Sequence, residues 1–323
     1  MVDRAMVSGV APIWKPRGPT SHDVVAQVRR ALGQRRVGHA GTLDPRAEGV
    51  LVLLIGSATR LAEFAVAGDK AYAFDVAFGI ETDTLDLDGQ VVRSERVRAM
   101  DSTQLDRAIE HVRQMRAMVP PAVSAIRVDG QRMYRRIRAG EHVDLPPRPV
   151  EIHRLVFTGW RDHPNGWLLG GFEVECGKGT YVRAIARELA HACGTVGSVD
   201  RLVRTRSGRF RLDAAVSLER FVDACQSGRA DEVLLPVAEA AGDLPAVNLP
   251  GPDDGWAVCS GRRVFVEATA ICRPGPVRVH DAEGRFLAIA EAEAAGNGWA
   301  LQPSRVLYDV RTQPSSARCL GAE

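Results

Sequence analysis

The sequence predicts an α/β fold of the α+β kind, with one large mixed domain followed by a small β-rich unit. Three observations carry this expectation. The chain has 323 residues, 45% of them hydrophobic, enough for a packed core and too apolar for disorder. Segments whose apolar residues recur at helical spacing alternate with short runs of strand character. From Ala238 to Pro250 the composition shifts to Ala, Gly and Pro, and beyond it the residues read as short strands separated by turns. The expected layout is a tail over 1–10, the large domain over 11–237, the β-rich unit over 238–310 and a tail over 311–323.

Composition narrows the function classes. The start, MVDRAMVSGVAPIW, has no long apolar stretch, and no segment approaches the length of an uncharged membrane span. Neither export nor a membrane partner is expected, and the protein is expected to be cytoplasmic. The six cysteines include no CxxC pair and no zinc-site spacing, so reduced thiols and no metal are expected. No Rossmann fingerprint or Gly-rich phosphate loop is present, so no organic cofactor is expected. Net charge is +2, from 42 basic and 40 acidic residues, so the local distribution of charge must decide about nucleic acid.

Taken in order, Ile13-Trp14-Lys15-Pro16 reads as a short strand ending in a turn. Thr20 or Ser21 can cap the helix that follows, whose apolar stripe is Val24, Val25, Val28 and Leu32. Arg29, Arg30, Arg35 and Arg36 form a first basic cluster. Val37 to Gly49 reads VGHAGTLDPRAEG, and its glycines and proline predict a loop with tight turns rather than a helix or a ladder strand. His39, Thr42 and Asp44 sit in it, and Pro45 biases Asp44 towards an extended conformation. An Asp before a Pro is also a common turn residue. The apolar run Val50 to Ile55 follows and is expected to be buried, tying a polar loop to a rigid element.

Lys70 to Gly79 reads as a strand carrying Tyr72, followed by an exposed acidic turn at Glu81, Asp83, Asp86 and Asp88. Asp101 to Met118 predicts an amphipathic helix stopped by Pro120-Pro121. Ser124 to Gly130 reads as a strand and turn. A short basic helix with Arg132, Tyr134, Arg135, Arg136 and Arg138 is expected next. Val150 to Phe157 and Leu168 to Cys176 read as strands. Arg183 opens a helix whose apolar face is Val182, Ile185, Ala186 and Leu189, an unfavourable place for a cation unless an anion compensates. Leu202 stands in a third basic cluster with Arg201, Arg204, Arg206, Arg209 and Arg211, and a helix is expected over Leu218 to Cys225. Each cluster reads either as a phosphate-binding patch or as a solvated face.

Gly38-His39-Ala40-Gly41-Thr42-Leu43-Asp44-Pro45 resembles the signature of the TruB family, the bacterial tRNA pseudouridine-55 synthases. The resemblance continues over roughly residues 11 to 218. It includes Lys15-Pro16 with Thr20-Ser21, Lys70-Ala71-Tyr72, Ser124-Ala125-Ile126 and Gly179-Thr180-Tyr181-Val182-Arg183. Leu202-Val203-Arg204-Thr205 matches a last motif, with Val203 where an Arg is common. The C-terminal unit resembles a PUA domain.

This resemblance implies a pseudouridine synthase fold, a central mixed and largely antiparallel sheet flanked by helices, followed by a PUA-like RNA-binding domain. It implies an isomerase that converts uridine to pseudouridine at position 55 in the T-loop of tRNA, acting as a monomer without cofactor or metal. Asp44 would be the catalytic carboxylate, Arg183 its partner, and Tyr72 the residue that stacks on uracil and assists proton transfer at C5. His39, Lys15 and Leu202 would shape the base pocket. Arg29, Arg30, Arg35, Arg36, Arg132, Arg135, Arg136, Arg138, Arg204, Arg206 and Arg209 would bind RNA. Attack at C1′ and proton loss at C2′ to give a glycal both stay open. So do a non-catalytic RNA-binding or tRNA-folding role and action on another RNA.

Overall fold

The structure, a computed structural model, describes residues 6–97, 99–122, 127–128, 131–132, 145–267 and 271–307. It is built on a nine-stranded sheet whose strands are β1 (Gly9–Lys15), β2 (Val37–His39), β3 (Glu48–Ile55), β4 (Lys70–Phe78), β5 (Ile152–Asp162), β6 (Leu168–Cys176), β7 (Gly197–Ser207), β8 (Phe210–Arg211) and β9 (Val216–Ser217). The main path runs β5-β6-β4-β7-β3-β1-β9, with β8 on β7 and β2 on β3. Only β1/β9 and β3/β7 pair in parallel; the other ladders are antiparallel, so the sheet is mixed and largely antiparallel as expected.

The four longest described helices are α1 (Ser21–Leu32), α2 (Ser102–Gln114), α3 (Val182–Ala192) and α4 (Leu218–Gln226). Thr20 caps α1 in a full capping box with Asp23, satisfying two backbone donors at once. Gly33 closes it in the left-handed region at φ 69°. Val24, Val25 and Val28, on one face, are buried in the main core with Leu51, Leu53 and Ile55 of β3 and Ile185 and Leu189 of α3.

Alternate residues of β3 face opposite ways. Val50, Val52 and Leu54 enter a second core with Ala58, Leu61, Phe210 and Ile289. A strand buried on both faces reads as the continuous apolar run seen in the sequence. Ile289 belongs to a separate five-stranded sheet made of β10 (Ala246–Asn248), β11 (Val264–Val266), β12 (Gly275–His280), β13 (Phe286–Ala295) and β14 (Gly298–Val306), in the order β10-β12-β13-β14-β11. This sheet has its own core around Val258, Val277, Val279, Leu287 and Leu301. Arg60 also donates to the Val306 carbonyl at 2.7 Å, and Arg305 pairs with Glu63 at 3.0 Å, joining the two units at the rim of the second core.

Several boundaries differ from expectation. β1 begins at Gly9, so Gly9 and Val10, expected in the tail, are in the sheet. Val37–His39 is a ladder strand after all, because Val37 is buried and the edge of β3 is free to pair with it. The helix α2 ends at Gln114, before the two prolines, because Ala117–Met118 is drawn into a ladder with Arg148–Pro149. Arg132 lies in a two-residue ladder, Arg127–Val128 with Gln131–Arg132, rather than in a helix. Arg135, Arg136 and Arg138 lie outside the described residues.

Candidate active site

The loop between β2 and β3 is held by its own carbonyls. Ser21 Oγ accepts from the Leu43 amide at 2.8 Å and donates to the Leu43 carbonyl at 2.9 Å. Lys15 Nζ donates to the carbonyls of Ala47 at 2.7 Å and Pro16 at 2.9 Å. Arg204, on β7, donates through Nε to Val50 O at 2.7 Å, through Nη2 to Gly41 O at 3.0 Å and through Nη1 to Thr42 O at 3.2 Å. Arg46 reaches the Asp200 carbonyl at 2.9 Å and its carboxylate at 3.0 Å. Gly49 lets β3 approach β7, since a Cβ there would lie 2.3 Å from Arg204 O.

With its backbone fixed, the loop presents Asp44 to the start of α3. Arg183 Nη2 lies 2.9 Å from Asp44 Oδ2. The Arg183 side chain is 6% exposed and that of Asp44 41%. The same guanidinium donates to Thr84 O at 2.7 Å and lies 3.7 Å from Asp86. A buried, forked cation therefore orients a carboxylate that keeps an open side. The anion that a cation at a helix start demands is supplied by the loop.

Asp44 and Arg183 stand in the wall of a cleft of about 260 Å³, together with Tyr72, Leu202, Lys70, Thr180 and the edge of Arg204. Tyr72 faces Arg204 across the β4/β7 ladder. Burial pushes the Tyr72 hydroxyl above its usual pKa, and the Arg204 guanidinium beside it works against that rise. Burial lowers the pKa of Lys70, whose Nζ donates to Val66 O at 2.6 Å. His39 is also lowered, by burial first and Arg204 second.

The structure brings Asp44, Tyr72, Arg183 and Leu202 together in the lining of one cleft. Three other expected site residues are placed differently. Lys15 is wholly buried under the loop and is no pocket wall; its ammonium is consumed by carbonyls, and burial lowers its pKa to about 8 despite the nearby carboxylates of Asp44 and Glu48. His39 is half-buried at the end of β2, outside the cleft lining, with its Nδ1 buried and unbonded. Arg204 is 1% exposed, with its guanidinium turned to the loop carbonyls and the cleft, so it is not a surface phosphate contact.

The rest of the third basic cluster is partly neutralised. Arg206 pairs with Glu175 at 3.0 Å and Arg209 with Glu239 at 3.1 Å. Arg29 is exposed but donates to Val37 O at 2.7 Å, while Arg30, Arg35 and Arg36 are exposed. Sequence reasoning missed Ser21 as a clamp on Leu43. Its place beside Thr20 allowed only a capping role, and only the fold brings it to the loop. Lys70 and Thr180 were also missed as cleft residues, although both lie inside motifs already singled out.

Residues 29–182 match the model of the TruB family pseudouridylate synthase (N terminal domain). Residues 245–307 match that of Pseudouridine synthase II TruB, C-terminal. The tRNA pseudouridine synthase B of Caulobacter sp. (strain K31) is 39% identical over 307 residues, covering 93% of this chain and 96% of that protein. This chain belongs to the TruB family. The tRNA pseudouridine synthase B of Symbiobacterium thermophilum is 43% identical over 245 residues, 76% of this chain and 79% of its own length. TruB-type tRNA pseudouridine synthase activity, an isomerase acting on tRNA, follows from this membership. Among solved structures, a chain of a Cbf5-Nop10-Gar1 complex superposes with a TM-score of 0.71 at 22% identity, over 93% of this chain and 85% of that one. A chain of an H/ACA ribonucleoprotein bound to a substrate RNA containing 2′-deoxyuridine superposes at 0.69 and 20% identity, over the same shares. Both similarities concern the fold.

Proposed function

We propose that this TruB-family enzyme converts the T-loop uridine at position 55 of tRNA to pseudouridine, with Asp44 as the catalytic carboxylate. The observation that carries this is the Asp44–Arg183 pair, a carboxylate with an open side held by a buried cation at the wall of a base-sized cleft. Arg183 orients Asp44 through a charge-assisted contact. Asp44 supplies an oxygen nucleophile at C1′ or negative charge beside a developing positive one. Tyr72 stacks on the uracil and assists proton transfer at C5, and Leu202 packs against the base. The target uridine must leave its stack to enter the cleft. Arg30, Arg35 and Arg36, exposed near the loop, contact phosphates. The enzyme works in the cytoplasm, a reading supported by the free, buried thiols of Cys176, Cys193 and Cys225, and it works as a monomer.

The test is Asp44→Asn, which keeps size and capping ability but removes charge and nucleophile. The variant should fold and bind a T-loop stem-loop. Single-turnover conversion should drop by roughly 10³-fold or more, about 4 kcal/mol of transition-state stabilisation. A variant that binds and converts at a rate near wild type would exclude Asp44. A folded wild-type protein that binds the stem-loop without converting it would favour an RNA-folding role instead.

A further inference from the structure

Arg204 heads the largest fully buried side chains among the described residues. An arginine stays charged at any accessible pH, and a buried charge is costly unless it is paired. Arg183 has Asp44 and Asp86 near it. Arg204 has three carbonyls, and among the described residues no carboxylate lies within ion-pair distance of it. Lys15, His39 and Lys70 each bind their protons less tightly partly because of Arg204, while the Asp44 and Glu48 carboxylates act on Lys15 in the opposite sense. Holding the loop does not by itself call for a cation, because neutral donors also satisfy carbonyls. A guanidinium with no carboxylate partner among the described residues, hydrogen-bonded to the Tyr72 side chain at the edge of a cleft, instead suits an anion that exists only while the cleft is occupied.

The reaction generates such an anion. When C1′–N1 breaks, the electron pair stays with the uracil ring and spreads onto O2 and O4. C1′ is then satisfied by a bond from an Asp44 oxygen, or by a C1′–C2′ double bond after loss of the C2′ proton. The ring turns, and C5 bonds to C1′. The Asp44 bond then breaks or C2′ regains its proton, C5 releases its proton, and N1 ends protonated. On either route the ring passes through an anionic state. We propose that Arg204 is the cation that stabilises the detached uracil anion, besides anchoring the loop. This rests on the reading of the cleft given above, in which the uracil stacks on Tyr72, the cross-strand partner of Arg204.

The experiment varies how much help the leaving ring needs. Fluorine at C5 withdraws electrons, so a 5-fluorouracil anion is more stable than a uracil anion. Single-turnover loss of the target nucleoside is measured on tRNA transcripts carrying uridine or 5-fluorouridine, with wild type, Arg204→Gln and Arg204→Lys. Circular dichroism and filter binding run alongside. Arg204→Gln should lose roughly 10²-fold on uridine and at least about tenfold less than that on 5-fluorouridine. If Arg204→Gln does not fold, Arg204→Lys carries the test. It keeps a charge but loses the fork, and should also lose more on uridine than on 5-fluorouridine. Equal losses on the two substrates, in whichever variant folds, would reduce Arg204 to a structural anchor. An Asp44→Asn control separates the two claims: its full activity would end the earlier reading while leaving the Arg204 comparison intact.

Discussion

Lys15 shows how one residue can carry a family motif without touching substrate. Its amine is buried against carbonyls, and its folded pKa is about 8 rather than 10.5. Between those values the folded amine is neutral while the unfolded one is still charged, so the unfolded state binds more protons. The contribution of Lys15 to stability therefore rises with pH across that window and is lowest below it. Lys15→Met should remove this rise. Urea unfolding of both proteins at about pH 7 and about pH 10 should show wild type gaining relative to the variant at the higher pH. An equal difference at the two pH values would mean that the amine is not held as its burial implies. The sequence puts His39 and Lys15 in the pocket only through their motifs, and motif membership says nothing about which side of a loop a side chain faces. A cation at the start of a helix calls for some anion, but only the family resemblance singled out Asp44 as the partner of Arg183.

At the scale of elements, the parallel pairing of β3 with β7 governs where the loop ends. Gly49 has φ +102° and no room for a Cβ, which would lie 2.8 Å from Arg204 N. Gly38, in the same motif, has open space on that side: a Cβ there would meet nothing within 4 Å. Gly49→Ala should cost at least about 2 kcal/mol and lower conversion, whereas Gly38→Ala should change stability by less than about 0.5 kcal/mol. Thermal melts and a conversion assay on both variants check this, and equal effects would contradict the geometry. The helices α1 and α3 and the strands β3, β4 and β6 were legible because capping residues and unbroken apolar runs are local signals. The strand Val37–His39 and the early end of α2 were not. The first depends on pairing across the glycine-rich loop with Glu48–Ile55, and the second on a partner distant in sequence, Arg148–Pro149. The parallel contact of β7 with β3 was equally invisible, and with it the burial of Arg204.

For the whole molecule, the RNA footprint is smaller than the count of arginines suggests. Arg35 and Arg36 are exposed, whereas Arg206 and Arg209 already hold acidic partners. Replacing Arg35 and Arg36 with Ala should each lower the slope of log affinity against log salt by roughly 0.7 to 0.9. Filter-binding titrations across salt measure it, and an unchanged slope would remove that patch from the footprint. The C-terminal sheet bears on catalysis in a different way, through the second core. Ile289 packs there with Val50, Val52 and Leu54, the strand that carries the end of the Asp44 loop. Ile289→Ala should cost about 2–5 kcal/mol. Fluorescence and circular dichroism should still report one coincident urea transition for the entire protein, moved to lower denaturant; two separate transitions would show that the units melt independently. The shared core thus makes the C-terminal unit a thermodynamic brace for the catalytic loop. Three side-chain carbons lost more than two hundred residues from Asp44 would be registered as opening at Asp44, and the turnover of the enzyme would inherit the stability of a domain that never meets the reacting base.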